Sequence, residues 1–446
     1  MDLNRRHLLA AAGMTALARP AKAAPLATFG VDAATFGVRA GAGEDQSREL
    51  QRAIDHAAKT RVPLMLAPGI YRAGDLKLPS GVTLVGVRSA TKLVFTKGAS
   101  LLSAEHAETV TLSGLTLDGA RAPFPGGRGL ADLRDTKDLR LADCAIDNAA
   151  GNAVRLEKCQ GEVTRCTVGA AADNALFCLD NSGLRIAFNT IRGSGNGGIR
   201  VWQSEKRRDA SLIADNTIED TRAVAGGSGE NGNAINIFRA ANVIVRGNHI
   251  RNAAFSAIRG NAASDIQILG NNCSGLDEVA IYSEFDFEGA VIADNVIDEA
   301  AIGISVTNFK QGGRLATVRG NLVRNLRARQ PGTPPDAAGI GIGVEADTTV
   351  TGNVVENAQT AGISAGWGQY LRNVVISDNV VRQSGFGITV SVASNAGTAV
   401  ISANSISGAK RGAIVGMEWQ KAVTGDLAAA GAERYPQLRI SGNQVS

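Results

Sequence analysis

The sequence predicts an all-β fold: a single-stranded, right-handed parallel β-helix, a solenoid of about a dozen turns with an N-terminal capping helix. Three observations predict it. A short pattern (an apolar run, an asparagine, one more apolar residue, then charge) recurs as LIADNTIED (212–220), VIVRGNHIRN (243–252), VIADNVIDE (291–299), VVISDNVVRQ (374–383) and AVISANSISG (399–408). Its asparagines, Asn189, Asn216, Asn248, Asn272, Asn295, Asn321, Asn353, Asn379 and Asn404, are spaced 23 to 32 residues apart, a solenoid period interrupted by loops of unequal length. Each period also holds three apolar pieces that alternate with period two and are too short for helices, so they read as strands. Composition agrees: with 53 glycines and 4% aromatic residues, the chain suits repeated tight turns better than a compact α/β core.

The elements follow in chain order. Residues 1–23 read as a twin-arginine export signal. Arg5 and Arg6 precede the modestly apolar Leu8–Ala18, and Ala21–Ala23 offers a small-x-small cleavage site. The apolar stretch is too short to span a bilayer, as is every later one. The expectation is therefore a periplasmic or extracellular protein, residues 24–446 forming one β-helix domain, monomeric and without a transmembrane segment. Loss of residues 1–23 lowers the formal charge from +4 to +1. With no basic run beyond Glu205–Asp209, nothing argues for nucleic acid.

Asp45–Arg61 carries Leu50, Ile54 and Ala57 at helical spacing, with Asp45 or Ser47 as N-cap. A helix there would cover the open end of the first turn, where unpaired strand edges invite association. Coils fill 62–446, and Thr424–Pro436 would help cover the far end. Within a coil, the recurring asparagine belongs at the bend between the second and third strands. Asparagine tolerates left-handed backbone, and stacked amides can bond from turn to turn. Cys144 and Cys166 occupy the same slot in earlier turns, and Asn443 in a later one. The five cysteines show no metal-type spacing and read as buried free thiols.

The stretch DQSRELQRAIDHAA (45–58), followed by PLMLAPGIYRAGDLKLPSGVTLVGV (63–87), resembles the N-terminal part of the pectate-lyase-like β-helix superfamily. That superfamily includes pectate lyases, polygalacturonases, rhamnogalacturonases and epimerase-like sugar enzymes. The whole chain is most similar to twin-arginine-exported β-helix repeat proteins of uncharacterised function. The resemblance covers nearly all of the mature chain and is specific for fold. It leaves activity open, because the paired aspartates and Gly-His-Gly motif of polygalacturonases are missing.

Strand alternation then gives each face. The inward column of the first strand runs Val154, Leu176, Ile199, Ile235, Ile258, Ile281, Ile304, Ile342, Ile363, Ile388. Beside it, pointing out, are Arg155, Phe177, Arg200, Asn236, Arg259, Tyr282 and Ser305. Two residues on come Glu157, Leu179, Trp202, Phe238, Asn261, Glu284, Thr307 and Glu345. Trp367 lies just past this strand. Long turns at 222–232, 327–338 and 366–372 flank the face.

Aromatic platforms take sugar rings and arginine takes carboxylates. The expected ligand is therefore an acidic polysaccharide, with Arg155, Trp202, Asn236, Phe238, Asn261 and Trp367 as binding residues and Arg200, Arg259, Tyr282, Glu284 and Glu345 as candidates for chemistry. For uronate elimination, Arg200 and Arg259 would bracket the sugar and Tyr282 would exchange a proton. A calcium-assisted version would draw on Glu284, Asp286 and Glu288; otherwise no cofactor is implied. For hydrolysis, Glu284 and Glu345 would lie about 9.6 Å apart at two turns of about 4.8 Å, near the upper end of the inverting range. A non-catalytic carbohydrate-binding or structural cell-envelope protein is the alternative.

Overall fold

A computed structural model describes residues 30–227, 229–308, 312–328 and 338–446, so the expected signal segment lies outside the described residues. Successive coils stack in parallel. The third strands form a 15-stranded sheet of their own, and the first and second strands join in one of 29. Helix Ser47–Thr60 packs against the first coils through Leu50, Ala53, Ile54 and Ala57. The N-cap position is neither Asp45 nor Ser47 but Gln46, whose side chain makes no capping bond; Asp45 Oδ1 accepts from the Ser47 N–H at 3.0 Å, and Ser47 Oγ accepts from Gly74 N and ties the helix to a coil.

The interior is a continuous apolar column. Every member of the inward series from Val154 to Ile388 is fully buried. Their partners on the next turn are the expected ones, including Ile199↔Ile235, Ile258↔Ile281 and Ile363↔Ile388. All five cysteines are buried free thiols, and burial pushes Cys273 up to about 12. A one-residue slip would turn the whole apolar set outward, so the core fixes the register.

The asparagine ladder ties the turns together along one bend. Asn189 donates from both its backbone N–H and its Nδ2 to Oδ1 of Asn216, each at 3.0 Å. Its Nδ2 also reaches back to Val163 O at 2.9 Å. Each rung thus spans three turns, and the pattern repeats through Asn248, Asn295, Asn321, Asn353, Asn379 and Asn404 to Asn443. Cys166 starts it, its N–H donating to Asn189 Oδ1 at 2.8 Å.

Two expectations are corrected. The rung between Asn248 and Asn295 is Asn271, not Asn272. Two residues after each ladder asparagine comes a buried core residue, and in this turn that residue is Cys273; Asn272 instead heads the third strand at the surface. The left-handed backbone, moreover, belongs to the residue before each asparagine: Phe188, Asp215, Gly247, Gly270, Asp294, Gly320, Gly352, Asp378 and Ala403 all have φ between 56° and 65°. The bend is made there, which leaves the asparagine itself free to turn its amide inward.

Replacement of Asn271 by Ala removes the acceptor shared by the Asn248 backbone N–H and Nδ2 and the donor to Val245 O, while the backbone N–H at this position still reaches Asn295 Oδ1. Urea denaturation should show a loss of about 3 kcal/mol. Asn272→Ala, on the surface one residue later, should stay within about 0.5 kcal/mol of the parent.

Candidate functional site

The first-strand face presents the two outward columns in the expected register. Phe177↔Arg200↔Asn236↔Arg259↔Tyr282 form one, and Leu179↔Trp202↔Phe238↔Asn261↔Glu284 the other. The face is less open than alternation alone suggests. Arg155, Arg200, Asn236, Arg259 and Glu284 are all buried, whereas Trp202, Phe238, Asn261 and Tyr282 are partly exposed. Outward side chains on turns about 4.8 Å apart lie against one another, and the 222–232 turn folds over them. Asn231 Oδ1 accepts from Arg200 Nη2 at 2.6 Å, and Gly229 O accepts from Asn236 Nδ2 at 3.1 Å.

An aromatic cluster occupies the middle. Trp202 meets Phe177 and Phe238 edge-on, with ring centroids 5.6 Å apart in each pair. Its Nε1 donates to Asn236 Oδ1 at 2.9 Å. The Arg200 guanidinium stacks 5.1 Å from the Trp202 ring centre, and Arg239 stacks 4.7 Å from that of Phe238.

Arg200 and Arg259 look equivalent in the sequence but meet opposite surroundings. Arg259 Nε donates to Glu284 Oε1 at 2.6 Å, its Nη1 lies 3.4 Å from Glu278 Oε2, and its guanidinium sits 5.1 Å from the centre of the Tyr282 ring. Glu284 also accepts from Asn261 Nδ2 at 2.9 Å. Burial raises the Glu278 carboxyl above its ordinary value, against the pull of Arg259. Burial beside Glu284 likewise raises the Tyr282 phenol, so Tyr282 is a neutral donor at neutral pH.

Arg200 has only neutral partners, Asn231 Oδ1 and, at 3.4 Å, Asn196 O. Among the described residues no carboxylate comes within ion-pair reach of it, its Nε has no partner, and only 7% of the residue is exposed. Burial lowers its pKa, against the weaker pull of Asp173 and Glu230 from beyond ion-pair distance.

The remaining candidates divide between structure and surface. Arg155 pairs with Glu157 at 2.7 Å and approaches Asp132 at 3.8 Å. Glu345 is buried just past the end of its strand, where its carboxylate accepts from Asn308 N at 2.8 Å and from Gly313 N. It thereby holds the chain that follows Thr307, while Glu284 faces Arg259 and Asn261. Trp367 is 37% exposed. The three carboxylates considered for calcium do not converge: Glu284 takes Arg259, Asp286 takes Lys206 and Glu288 takes Arg314. Of the turn at 327–338, residues 329–337 lie outside the described residues.

Asn196, Asn231 and Glu278 escaped the sequence reading. They lie in turns, where period-two alternation assigns no face; the only signal was the polar density of SGENGN (228–233).

Glu284→Ala would remove the closer of the two carboxylates on the buried Arg259 and should cost about 3 kcal/mol in urea denaturation. For Glu345 the folded pKa is raised above the ordinary 4.5 by burial. Its contribution to stability is then fully present below 4.5 and is lost as pH rises through the raised value. A Glu345→Gln variant escapes that loss. Its melting temperature relative to the parent should be highest near neutral pH and should fall on acidification toward 4.5; a difference that grows on acidification would contradict the assignment.

A family model described as NosD, periplasmic copper-binding protein, matches residues 137–327. No curated protein matches the chain. Among solved structures, the N-terminal fragment of bacteriophage phi29 gene product 12 is similar at 14% identity, covering 94% of this chain and 71% of that one, with a TM-score of 0.57. The A-module of the Azotobacter vinelandii mannuronan C-5 epimerase aligns at 14% identity over 93% of this chain and 99% of that one, with a TM-score of 0.41. Copper sites need imidazole, thiolate or thioether donors brought together. Here the thiols are buried singly or in the ladder column, and His56, His106 and His249 stand on separate elements. No group of three such donors or carboxylates converges among the described residues, so this donor set does not fit copper. Stacking, register and the matched stretch agree on one conclusion: the chain is a single-stranded right-handed parallel β-helix, similar over residues 137–327 to the NosD family.

Proposed function

We propose that this protein is an exported, periplasmic β-helix that binds an acidic polysaccharide along its first-strand face. The observation that carries the reading is Arg200. A buried charge is ordinarily paired, because desolvation is costly without an opposite charge. Arg200 has no carboxylate at ion-pair distance among the described residues, Asp173 and Glu230 acting on it only from further off, and it is stacked on Trp202, a partly exposed ring suited to a pyranose face. A uronate seated on Trp202 would bring the missing carboxylate to Arg200 and set its hydroxyls against Asn236 and Asn261. Phe238, one turn on, extends the platform to the next sugar.

Recognition is favoured over cleavage by the state of the reactive groups. Elimination needs a cation free for the substrate carboxylate beside a proton acceptor, yet Arg259, next to Tyr282, already holds Glu284 and Glu278. An inverting hydrolase needs two carboxylates facing one water, and Glu345 is spent on backbone amides. The family description "periplasmic" supports the location.

The experiment is retention and calorimetry on polygalacturonate and alginate, with absorbance at 235 nm followed in parallel with and without calcium. Retention with a flat trace is expected. New double bonds would replace binding with lyase activity, and absence of retention on every polyuronate would end the reading. Arg200→Met should weaken binding at least about tenfold, the weight of one charge-assisted contact, while raising the melting temperature, because it removes an unpaired buried charge. A variant that binds normally and melts lower would make Arg200 structural instead.

A further inference from the structure

Near the C-terminal end the coil is interrupted by an antiparallel hairpin, the one antiparallel pairing among the described residues. Strand Ile414–Glu418 turns back through Trp419 and Gln420 into Lys421–Asp426. Two-residue hairpin turns favour glycine, asparagine or aspartate at positive φ. Here the residue at positive φ is Trp419, at 55°, a bulky side chain where bulky side chains are outliers. Backbone strain of this kind persists where something else requires the residue.

The ring of Trp419 is also seated by design of the neighbouring turn. It lies on Gly368, where an added Cβ would come within 2.3 Å of its ring carbons, so only glycine fits beneath it. Gly368 is itself held by Ser391 Oγ, which donates to its carbonyl at 2.7 Å. Trp419 meets Trp367 edge-on at 5.7 Å. Burial does not explain the pair, since Trp367 is 37% and Trp419 46% exposed.

We infer that Trp367 and Trp419 form a second sugar platform, which takes pyranose rings of the same polysaccharide chain that occupies Trp202. The inference rests on the binding reading above. The Trp202 strand (Gly197–Arg208) and the strand preceding Trp367 (Ala361–Ala365) are six turns apart along one sheet, about 29 Å at about 4.8 Å per turn. Both platforms follow strands of one stacked column, so one extended polymer running along it can touch both. The second contact is then intramolecular, and avidity exceeds either single affinity by about 10²-fold or more. The protein would measure chain length as well as chemistry, ignoring short uronate fragments and holding polymers.

The test uses the full chain and polygalacturonate fragments of graded length, titrated by calorimetry and tryptophan fluorescence. Affinity should rise at least about tenfold once fragments exceed the 29 Å span. Trp419→Asn keeps a residue suited to the left-handed turn and should melt no lower than the parent. It should abolish the length-dependent rise while leaving short-fragment binding intact. Trp202→Ala should weaken short fragments and polymer alike. If Trp419→Asn holds polymer as the parent does while Trp202→Ala does not, the second platform is refuted and the first stands. If the parent shows no dependence on length, the inference fails as well. If the parent binds no fragment and no polymer, both readings fall together.

Discussion

The asparagine ladder is the interaction on which the rest of the structure depends. A solenoid turn cannot bury its apolar residues alone; it needs the turns on either side. Strand pairing supplies hydrogen bonds along the straight segments, but each coil also bends, and the bend between second and third strands leaves backbone groups pointing into the interior. The ladder satisfies them. One amide takes two donors from the preceding turn and gives its own hydrogens to the next rung and to a carbonyl one turn back. Polar groups that would otherwise be buried without partners become a continuous cable. Because every rung is linked to both neighbours, a local error is felt by three turns at once.

The ladder also sets where the chain can vary. Its period fixes the columns, so the fully buried isoleucines repeat and their outward neighbours are free to differ. It does not fix loop length, because the bends outside the ladder corner carry no such bond. The 222–232 and 327–338 turns, at the ends of otherwise ordinary coils, are where extra residues accumulate. The first of them shapes the candidate site by closing over Arg200 and Asn236. In the earliest turns the ladder column holds Cys144 and Cys166 instead, thiols that bond weakly to the carbonyl two residues before them and to one a turn back. There the weaker thiol bonds continue the link from turn to turn.

What was legible in the sequence follows from this division. Period-two alternation and the recurring asparagine gave the fold, the inward column and the strand register from Val154 to Ile388 without error, since repetition averages over local irregularity. Asn272 was misread because two asparagines stand together and only the position of Cys273, two residues after the true rung, decides between them. The opposite states of Arg200 and Arg259 were not legible: both occupy the same column, and the carboxylates that distinguish them arrive from a turn (Glu278) and from the neighbouring column (Glu284). Trp419 was visible only as one tryptophan among three, because nothing in composition marks a residue as sitting at positive φ.

A catalytic centre needs a few groups at one place, whereas a stacked-turn scaffold delivers groups in rows about 4.8 Å apart. Rows suit a ligand that is itself a row. Along this face the non-repeating residues form a graded sequence: an ion-paired cluster at Arg155, an unpaired arginine on an aromatic platform at Trp202, a neutralised arginine at Tyr282, and a strained aromatic pair at Trp419. Of these only the second holds a buried arginine with no carboxylate at ion-pair distance, and only the last keeps two tryptophans exposed, one of them at a conformational cost. The ion-paired stretches between and around them have already satisfied their own electrostatics and gain little from a ligand. Selectivity for an extended acidic chain then comes from the spacing of two demanding points on a rigid ruler, and the ruler is rigid because each of its graduations is hydrogen-bonded to the next.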